Sequence, residues 1–344
     1  MGAGAWHQGA GFAQPYQESA GVTGRQTSRQ ATRQRTRKPS SQRGQVRGRL
    51  GNRNRKRNRR HGPINALKRS WRKANWPTRI KMVLIPTVAV VVVVALVAGL
   101  VRFTNWRAQV RAAEAAQLEL TRTYDFNPGN IISDGQFFNG SAMSQAEVQS
   151  FLDTQGGSLA AMTFDTSNES GEGLCADYTG TKGESAAAII DQSARACKVS
   201  QKVLLTVMQK EQHLVTAVDP SDYQLMAAMG LNCPDTADCD PAYAGFFRQV
   251  YGAAKRYRYY LEHEEQYGYT AHNLNYIQYH PNAACGGAQV YIENKATALL
   301  YIYTPYQPNI AALAAGNGTG DSCSSYGNRN FALIYTSWFG SPRS

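Results

Sequence analysis

Residues 82–101 read MVLIPTVAVVVVVALVAGLV, a run of 20 residues without a charge. A helix rises about 1.5 Å per residue, so this run matches a hydrocarbon core of roughly 30 Å. It lies too far from the N-terminus and is too long for a cleavable secretory signal. Pro86 near its start is tolerated in lipid. The pattern predicts a single transmembrane helix over 82–101, a helical stalk rich in Ala, Glu and Arg over 102–123, and a folded domain over 124–344.

Inside that domain the apolar positions recur mostly at three- and four-residue steps, the period of a helix with one buried face. Ser144 followed by Glu147 forms a capping box, Val148, Phe151 and Leu152 supply an apolar face, and Gly156-Gly157 stops the helix. A second helix is predicted near 184–196, with a break at 198–200. LLTVMQKEQHLVT (204–216) then places Leu204, Val207, Met208 and Val215 on one stripe. Tyr243, Phe246, Phe247, Val250, Ala254, Tyr257 and Leu261 share the face of a longer helix. Two more are predicted over 290–306, ended by Pro305, and over 326–340. No run of alternating short strands and no internal repeat stands out. The expected class is mainly α, one exported domain of helices joined by long loops.

Charge changes this picture in one respect. Residues 1–81 carry 21 of the 37 Lys and Arg against one acid, Glu18, whereas residues 103–344 carry 15 basic and 23 acidic side chains. The basic excess is therefore a property of a tail, and it does not argue for a specific nucleic-acid partner. Arg and Lys crowd the N-terminal flank of the apolar run, which keeps that side cytoplasmic and sends 102–344 outside. Residues 1–62 are poor in aliphatics and read as a disordered basic cytoplasmic tail that adheres to anionic lipid of the inner leaflet. Residues 63–81 form a basic, aromatic juxtamembrane segment whose Trp71 and Trp76 suit interfacial anchoring.

All six cysteines, Cys175, Cys197, Cys233, Cys239, Cys285 and Cys323, follow the apolar run. An even number on the exported side reads as three disulfides, and six cysteines allow 15 pairings. Cys175–Cys197, Cys233–Cys239 and Cys285–Cys323 would close the shortest loops. No CxxC pair points to zinc, and no HExxH or Gly-x-Ser-x-Gly element appears. CPDTADCD (233–240) is acidic but lacks the order of a calcium-binding loop.

Glu211 falls on the apolar stripe of 204–216, where burial makes a carboxylate costly. A helix-surface or ion-paired glutamate is the plain explanation. The chemical one is a general acid: shielding from water disfavours the charged form, and a carboxylic acid in an apolar niche can protonate a glycosidic oxygen.

VSQKVLLTVMQKEQHLVT resembles the catalytic helix of the lysozyme-like superfamily, in particular lytic transglycosylases and peptidoglycan glucosaminidases. LMAAMGLNCPD (225–235) is similar to the loop that lines the glycan cleft there, and YIYTPYQPN (301–309) to the later Tyr-bearing segment. The longer string from NIISDGQFFNGSAMSQAEVQSFL through CPDTADCD, YHPNAACG, TPYQPN and GTGDSCSSYGNRNF to WFG resembles a haemagglutinin-related family of exported actinobacterial proteins, over residues 127–340. Two departures stand out: Gln212 occupies the place of the superfamily's usual Ser, and AMGLNC does not reproduce Gly-Leu-Met-Gln.

The resemblance implies a lysozyme-like helical domain with Glu211 as proton donor and Met229, Tyr301 and Tyr306 at the sugar. His280 and Asn282, in the loop YHPNAACGG, are further candidate ligand contacts or turn formers. A lytic transglycosylase needs Glu211 alone, whereas a hydrolase needs a second carboxylate, for which Asp219, Asp222 and Asp235 are candidates. Neither route calls for a cofactor or a metal. The expected function is cleavage of the peptidoglycan glycan strand. The alternative is a non-catalytic wall-glycan binder or adhesin on the same fold.

Overall fold

The computed structural model describes residues 63–234 and 238–344. The basic tail 1–62 and Asp235 lie outside the described residues. The chain divides into two compact units, with the boundary between Thr104 and Asn105.

In the first unit, α1 (Pro63–Lys73) ends two residues before α2 (Trp76–Tyr124) begins. Asn75 restarts the helix: its side-chain oxygen accepts from the Thr78 N–H at 3.4 Å, and Pro77 fits the first turn, where no N–H is needed. α2 holds the apolar run, and Val83 to Val101 are all exposed. It is long and apolar enough to cross a membrane. Pro86 does not stop it.

From Asn105 onward the chain is mostly helical: α3 (Asp134–Phe137), α4 (Gln145–Gln155), α5 (Ala186–Cys197), α6 (Gln201–Gln212), α7 (Asp222–Met226), α8 (Phe246–Glu262), α9 (Lys295–Tyr303), α10 (Ile310–Ala314) and α11 (Gly327–Phe339). Local rules account for the ends. Ser144 caps α4 through the reciprocal Ser144–Glu147 box, and Gly156, in the left-handed region at φ 73°, closes it. Ser185 caps α5 and Lys198 ends it left-handed at φ 54°.

Helix α6 is the centre of the core. Gln201 and every residue from Val203 to Met208 are buried, so it is enclosed on all sides rather than along one stripe. Helices α5 and α11 pack directly on it, and α4 and α8 lie against α5. Gln201 belongs there because its amide is answered, donating to Asp191 Oδ1 at 2.8 Å and the Gly140 carbonyl at 3.0 Å.

The structure corrects the sequence reading at one element. Residues 290–292 are not helical: β3 (Asn273–Gln278) and β4 (Gly287–Ile292) form an antiparallel hairpin, and α9 starts only at Lys295. The alternation that would have marked β3 is inverted in polarity. Asn275 is buried and Tyr276 is exposed. Asn275 is satisfied inside by accepting from the Thr270 N–H and donating to the Thr270 and Asn273 carbonyls, each at 2.9 Å. A second short pair joins β1 (Thr163–Phe164) to β2 (Glu184–Ser185).

The C-terminal turns of α2 take part in this packing. Val110, Ala113 and Gln117 are buried along one face. The Gln117 amide meets both backbone groups of Tyr291, donating to its carbonyl at 3.2 Å and accepting from its N–H at 2.8 Å. That capping satisfies the Tyr291 groups on the outer edge of β4, which would otherwise be unpaired. Gly129 passes so close that any Cβ there would overlap Gln117 Nε2 and the Tyr291 carbonyl oxygen.

Three disulfides join Cys175 to Cys197, Cys233 to Cys239 and Cys285 to Cys323, the pairs that close the shortest loops. They close very different lengths of chain, with separations of 6 residues for Cys233–Cys239 and 38 for Cys285–Cys323. Loop-closure entropy then predicts that replacing Cys285 and Cys323 together by Ser costs about 4 kcal/mol, and replacing Cys233 and Cys239 about 2 kcal/mol. Denaturant unfolding of the two double variants checks the order; equal losses would contradict it.

Candidate functional site

Glu211 lies in the last turn of α6, one turn beyond Val207 and Met208. His213 adopts the left-handed conformation at φ 51°, ends the helix and lets Leu214 and Val215 return to the core. The Glu211 side chain is 11% exposed and that of its neighbour Lys210 only 6%. The two form an ion pair. The Lys210 ammonium also donates to Thr304 Oγ1 at 3.2 Å and lies 5.6 Å from the centre of the Tyr303 ring. A carboxylate at the C-terminal end of a helix faces the negative end of its dipole, an unfavourable placement of about 0.3–1 kcal/mol that the ammonium offsets.

The opposite wall is the turn at Met229–Leu231. Gly230 has φ 70°, and a Cβ there would come within 3.3 Å of Glu211 Cδ and Oε2. The left-handed conformation favours glycine here, and a Cβ would also crowd the carboxylate. Gln249, buried in α8, holds this turn in place. Its Oε1 accepts from the Met229 and Leu231 N–H groups at 3.1 and 3.0 Å, and its amide donates to the Leu231 and Tyr243 carbonyls at 2.8 and 2.9 Å.

Two phenols complete the surroundings. Tyr303, from α9, donates its hydroxyl to the Met229 carbonyl. Tyr257, from α8, packs its ring 5.1 Å from that of Tyr303, and its buried hydroxyl has no hydrogen-bond partner among the described residues. Burial pushes both phenols well above their ordinary range, and the charge of Glu211 pushes them the same way. Both therefore stay neutral hydroxyls at physiological pH, that of Tyr303 already committed to the Met229 carbonyl.

Glu211 is the one predicted site residue whose side chain lies in this cluster. Met229 contributes its backbone, while its side chain is buried. Tyr301 is fully buried and donates to the Pro128 carbonyl at 2.9 Å, so it is a core residue and cannot reach a sugar as the sequence reading expected. Tyr306 is partly buried beside β3, its backbone bridged to Gln278. His280 Nδ1 accepts from the Asn282 N–H at 3.0 Å, and Asn282 Oδ1 accepts from the Ala284 N–H at 3.1 Å, so both shape the turn that leads to Cys285. Asp219 and Asp222 are exposed in the segment after α6. Gln212, in the place of the expected Ser, accepts at its carbonyl from Gln224 Nε2 at 2.8 Å and ties α6 to α7.

Lys210, Gly230 and Gln249 carry no signal in the sequence that assigns them to the site. Tyr303 lies two positions after Tyr301, which on a helix turns it to another face. Only the phase of α9 against the core distinguishes them.

A mostly helical, disulfide-braced domain with a shielded carboxylate at the end of its central helix is what fold and site define. The chain belongs to the family described as LasA, N-terminal domain, whose model matches residues 130–344. This is an exported, cell-wall-related family, and the match spans Glu211, its surroundings and all three disulfides. Neither the curated proteins nor the solved structures compared give a match. Membership points to a cell-wall-active, peptidoglycan-related role, and the apolar helix together with an exported type of domain fits a membrane-anchored or secreted protein.

Breaking a buried ion pair from one side leaves an uncompensated charge, at about 3–5 kcal/mol. Lys210→Met is therefore expected to lower unfolding stability by about 3 kcal/mol, and adding Glu211→Gln to recover more than half of the loss. A double variant no more stable than Lys210→Met would show that the two charges do not answer each other.

Proposed function

We propose that this protein acts on the glycan strand of peptidoglycan from a membrane tether, with Glu211 as the proton donor. In this reading 82–101 spans the membrane, 1–81 is cytoplasmic, and the domain beyond the stalk, lysozyme-like in its catalytic helix, faces the wall. The observation that carries the proposal is the placement of Glu211: a carboxyl largely withdrawn from water, fixed at a helix end, with a glycine on one side and two neutral phenols near it. A general acid needs this combination of shielding and rigid placement.

The reaction begins as the Glu211 carboxyl proton passes to the glycosidic oxygen and the bond to the anomeric carbon breaks. A single carboxylate can then take the proton from the muramyl 6-hydroxyl as that oxygen closes an anhydro ring, the lytic transglycosylase route. A hydrolase would need a partner carboxylate at about 5 Å or at roughly 6.5–9.5 Å. The groups described above around Glu211 are an ammonium, a glycine and phenols, which supports the single-acid route. Tyr303 and Tyr257, rather than Tyr301, are the phenols that feel the charge of Glu211.

One observation favours a second reading, a wall-glycan binder without chemistry. Lys210 already occupies the carboxylate, and that pairing has to be given up before Glu211 can carry a proton to a sugar.

Digestion of purified peptidoglycan by residues 103–344 separates the two. Release of muropeptides ending in anhydromuramic acid is expected from the wild type, with at least a hundredfold loss in Glu211→Gln while binding to sacculi persists. Binding by the wild type with no released muropeptide would sink the catalytic reading.

A further inference from the structure

The corner where α1 gives way to α2 holds a cleft that the reading above does not use. It measures about 530 Å³, within the roughly 300–1,000 Å³ of ligand pockets. Trp71, Trp76, Ile80, Val83 and Leu84 form its walls, and Arg79 is its single charged group. The corner is built rather than incidental. Arg79 Nε donates to the Trp71 carbonyl at 3.1 Å, across the break between the helices, and the guanidinium lies 5.9 Å from the Trp71 ring centre. The five apolar walls are all exposed, Trp76 to 76%. No aqueous site would leave such a surface open.

Charge selects the occupant. Lys68, Arg69, Arg72 and Lys73 lie on α1, Arg79 and Lys81 follow, and no acidic residue occurs between Glu18 and Glu114. The cleft therefore joins an apolar slot at the start of the membrane run to a guanidinium within a wholly cationic segment. A zwitterionic headgroup would set its own cation against these. A peptide would find few partners for its backbone in walls of this kind. A guanidinium suits phosphate, and the slot suits an acyl chain.

We propose that the α1–α2 corner binds one anionic glycerophospholipid of the cytoplasmic leaflet, its phosphate on Arg79 and an acyl chain along Trp76, Ile80, Val83 and Leu84. The site rests on the membrane-spanning reading of 82–101, and it is independent of the chemistry assigned to Glu211. The lipid anchors the juxtamembrane corner and adds a specific contact to the diffuse attraction between basic residues and an anionic surface.

The test uses the full chain in detergent micelles, offered dioleoylphosphatidylglycerol or dioleoylphosphatidylcholine, with bound lipid counted by native mass spectrometry. One retained phosphatidylglycerol is expected, at least tenfold over phosphatidylcholine, and most of it should survive 0.5 M salt. Arg79→Gln should abolish the preference. Val83→Trp, which fills the slot at unchanged charge, should lower phosphatidylglycerol retention at least fivefold. Equal retention of the two lipids overturns the site. So does phosphatidylglycerol retention that salt removes and Val83→Trp leaves intact, because that is the behaviour of diffuse charge. Carbonate extraction of the full chain from phosphatidylcholine vesicles separates the underlying reading: an extractable chain overturns both, and an inserted chain without lipid preference overturns the site alone.

Discussion

The ion pair between Lys210 and Glu211 stands where a helix enclosed on every side runs out of apolar sequence. Along α6 the polar groups are answered within the protein, as when Thr206 donates to the Lys202 carbonyl at 2.7 Å. At its end a full charge must be answered as well, and the answer extends over three other elements. The ammonium rests on Thr304 and the face of Tyr303, the Tyr303 hydroxyl on Met229, and the Met229 N–H on Gln249 of α8. Buried polar chains of this kind hold geometry because each member left unmatched would pay its full desolvation. The carboxylate is thus fixed from α6, α8, α9 and the Gly230 turn together.

How much of this is legible in the sequence depends on whether a feature is local. The Ser144 capping box, the left-handed stop at Gly156 and the helix carrying Glu211 rest on residues close in sequence, and the structure has them where the pattern puts them, although α6 is buried all round and not along one stripe. The β3–β4 hairpin is lost because its code is cross-strand: the short alternation of Val290 and Ile292 runs into the apolar residues of α9, and buried Asn275 masks the alternation of β3. The site follows the same division. Glu211 is found by period, whereas Tyr257 and Tyr303 belong to it through the packing of α8 and α9. Tyr301 looked the better candidate and is core, since a tyrosine's role is set by where its hydroxyl ends, at Pro128 in this case.

Gln117 shows a related limit. In sequence it belongs to an Ala-, Glu- and Arg-rich helix that reads as a spacer. Its amide instead completes a strand edge 174 residues away, and Gly129 is kept bare to let it pass. The turns of α2 after Asn105 are therefore part of the compact C-terminal unit. With Gln117 on the backbone of Tyr291 and the Gly129 carbonyl on the Glu293 N–H, this part of the edge needs no additional strand, which helps a two-stranded hairpin persist in a helical domain.

The proposed chemistry turns on what Lys210 does when a ligand arrives. The ammonium has a second acceptor already in place, Thr304 Oγ1 at 3.2 Å, so it can slacken its hold on the carboxylate without entering an empty environment. Such a shift is unfavourable by itself, because it separates opposite charges in a shielded site. Binding energy from sugar units remote from the scissile bond is the usual means of meeting a cost of this kind, and it would be released only on a correctly seated strand. In the proposed reaction the pair would act as a guard: Glu211 stays paired in the free domain and would serve as an acid only once glycan binding has separated the pair and the carboxylate has taken up a proton. A domain that binds glycan without cutting it has no use for this arrangement, since a permanent ion pair serves it equally well. The two functions thus differ in one physical respect, whether the Lys210–Glu211 pair opens on glycan binding.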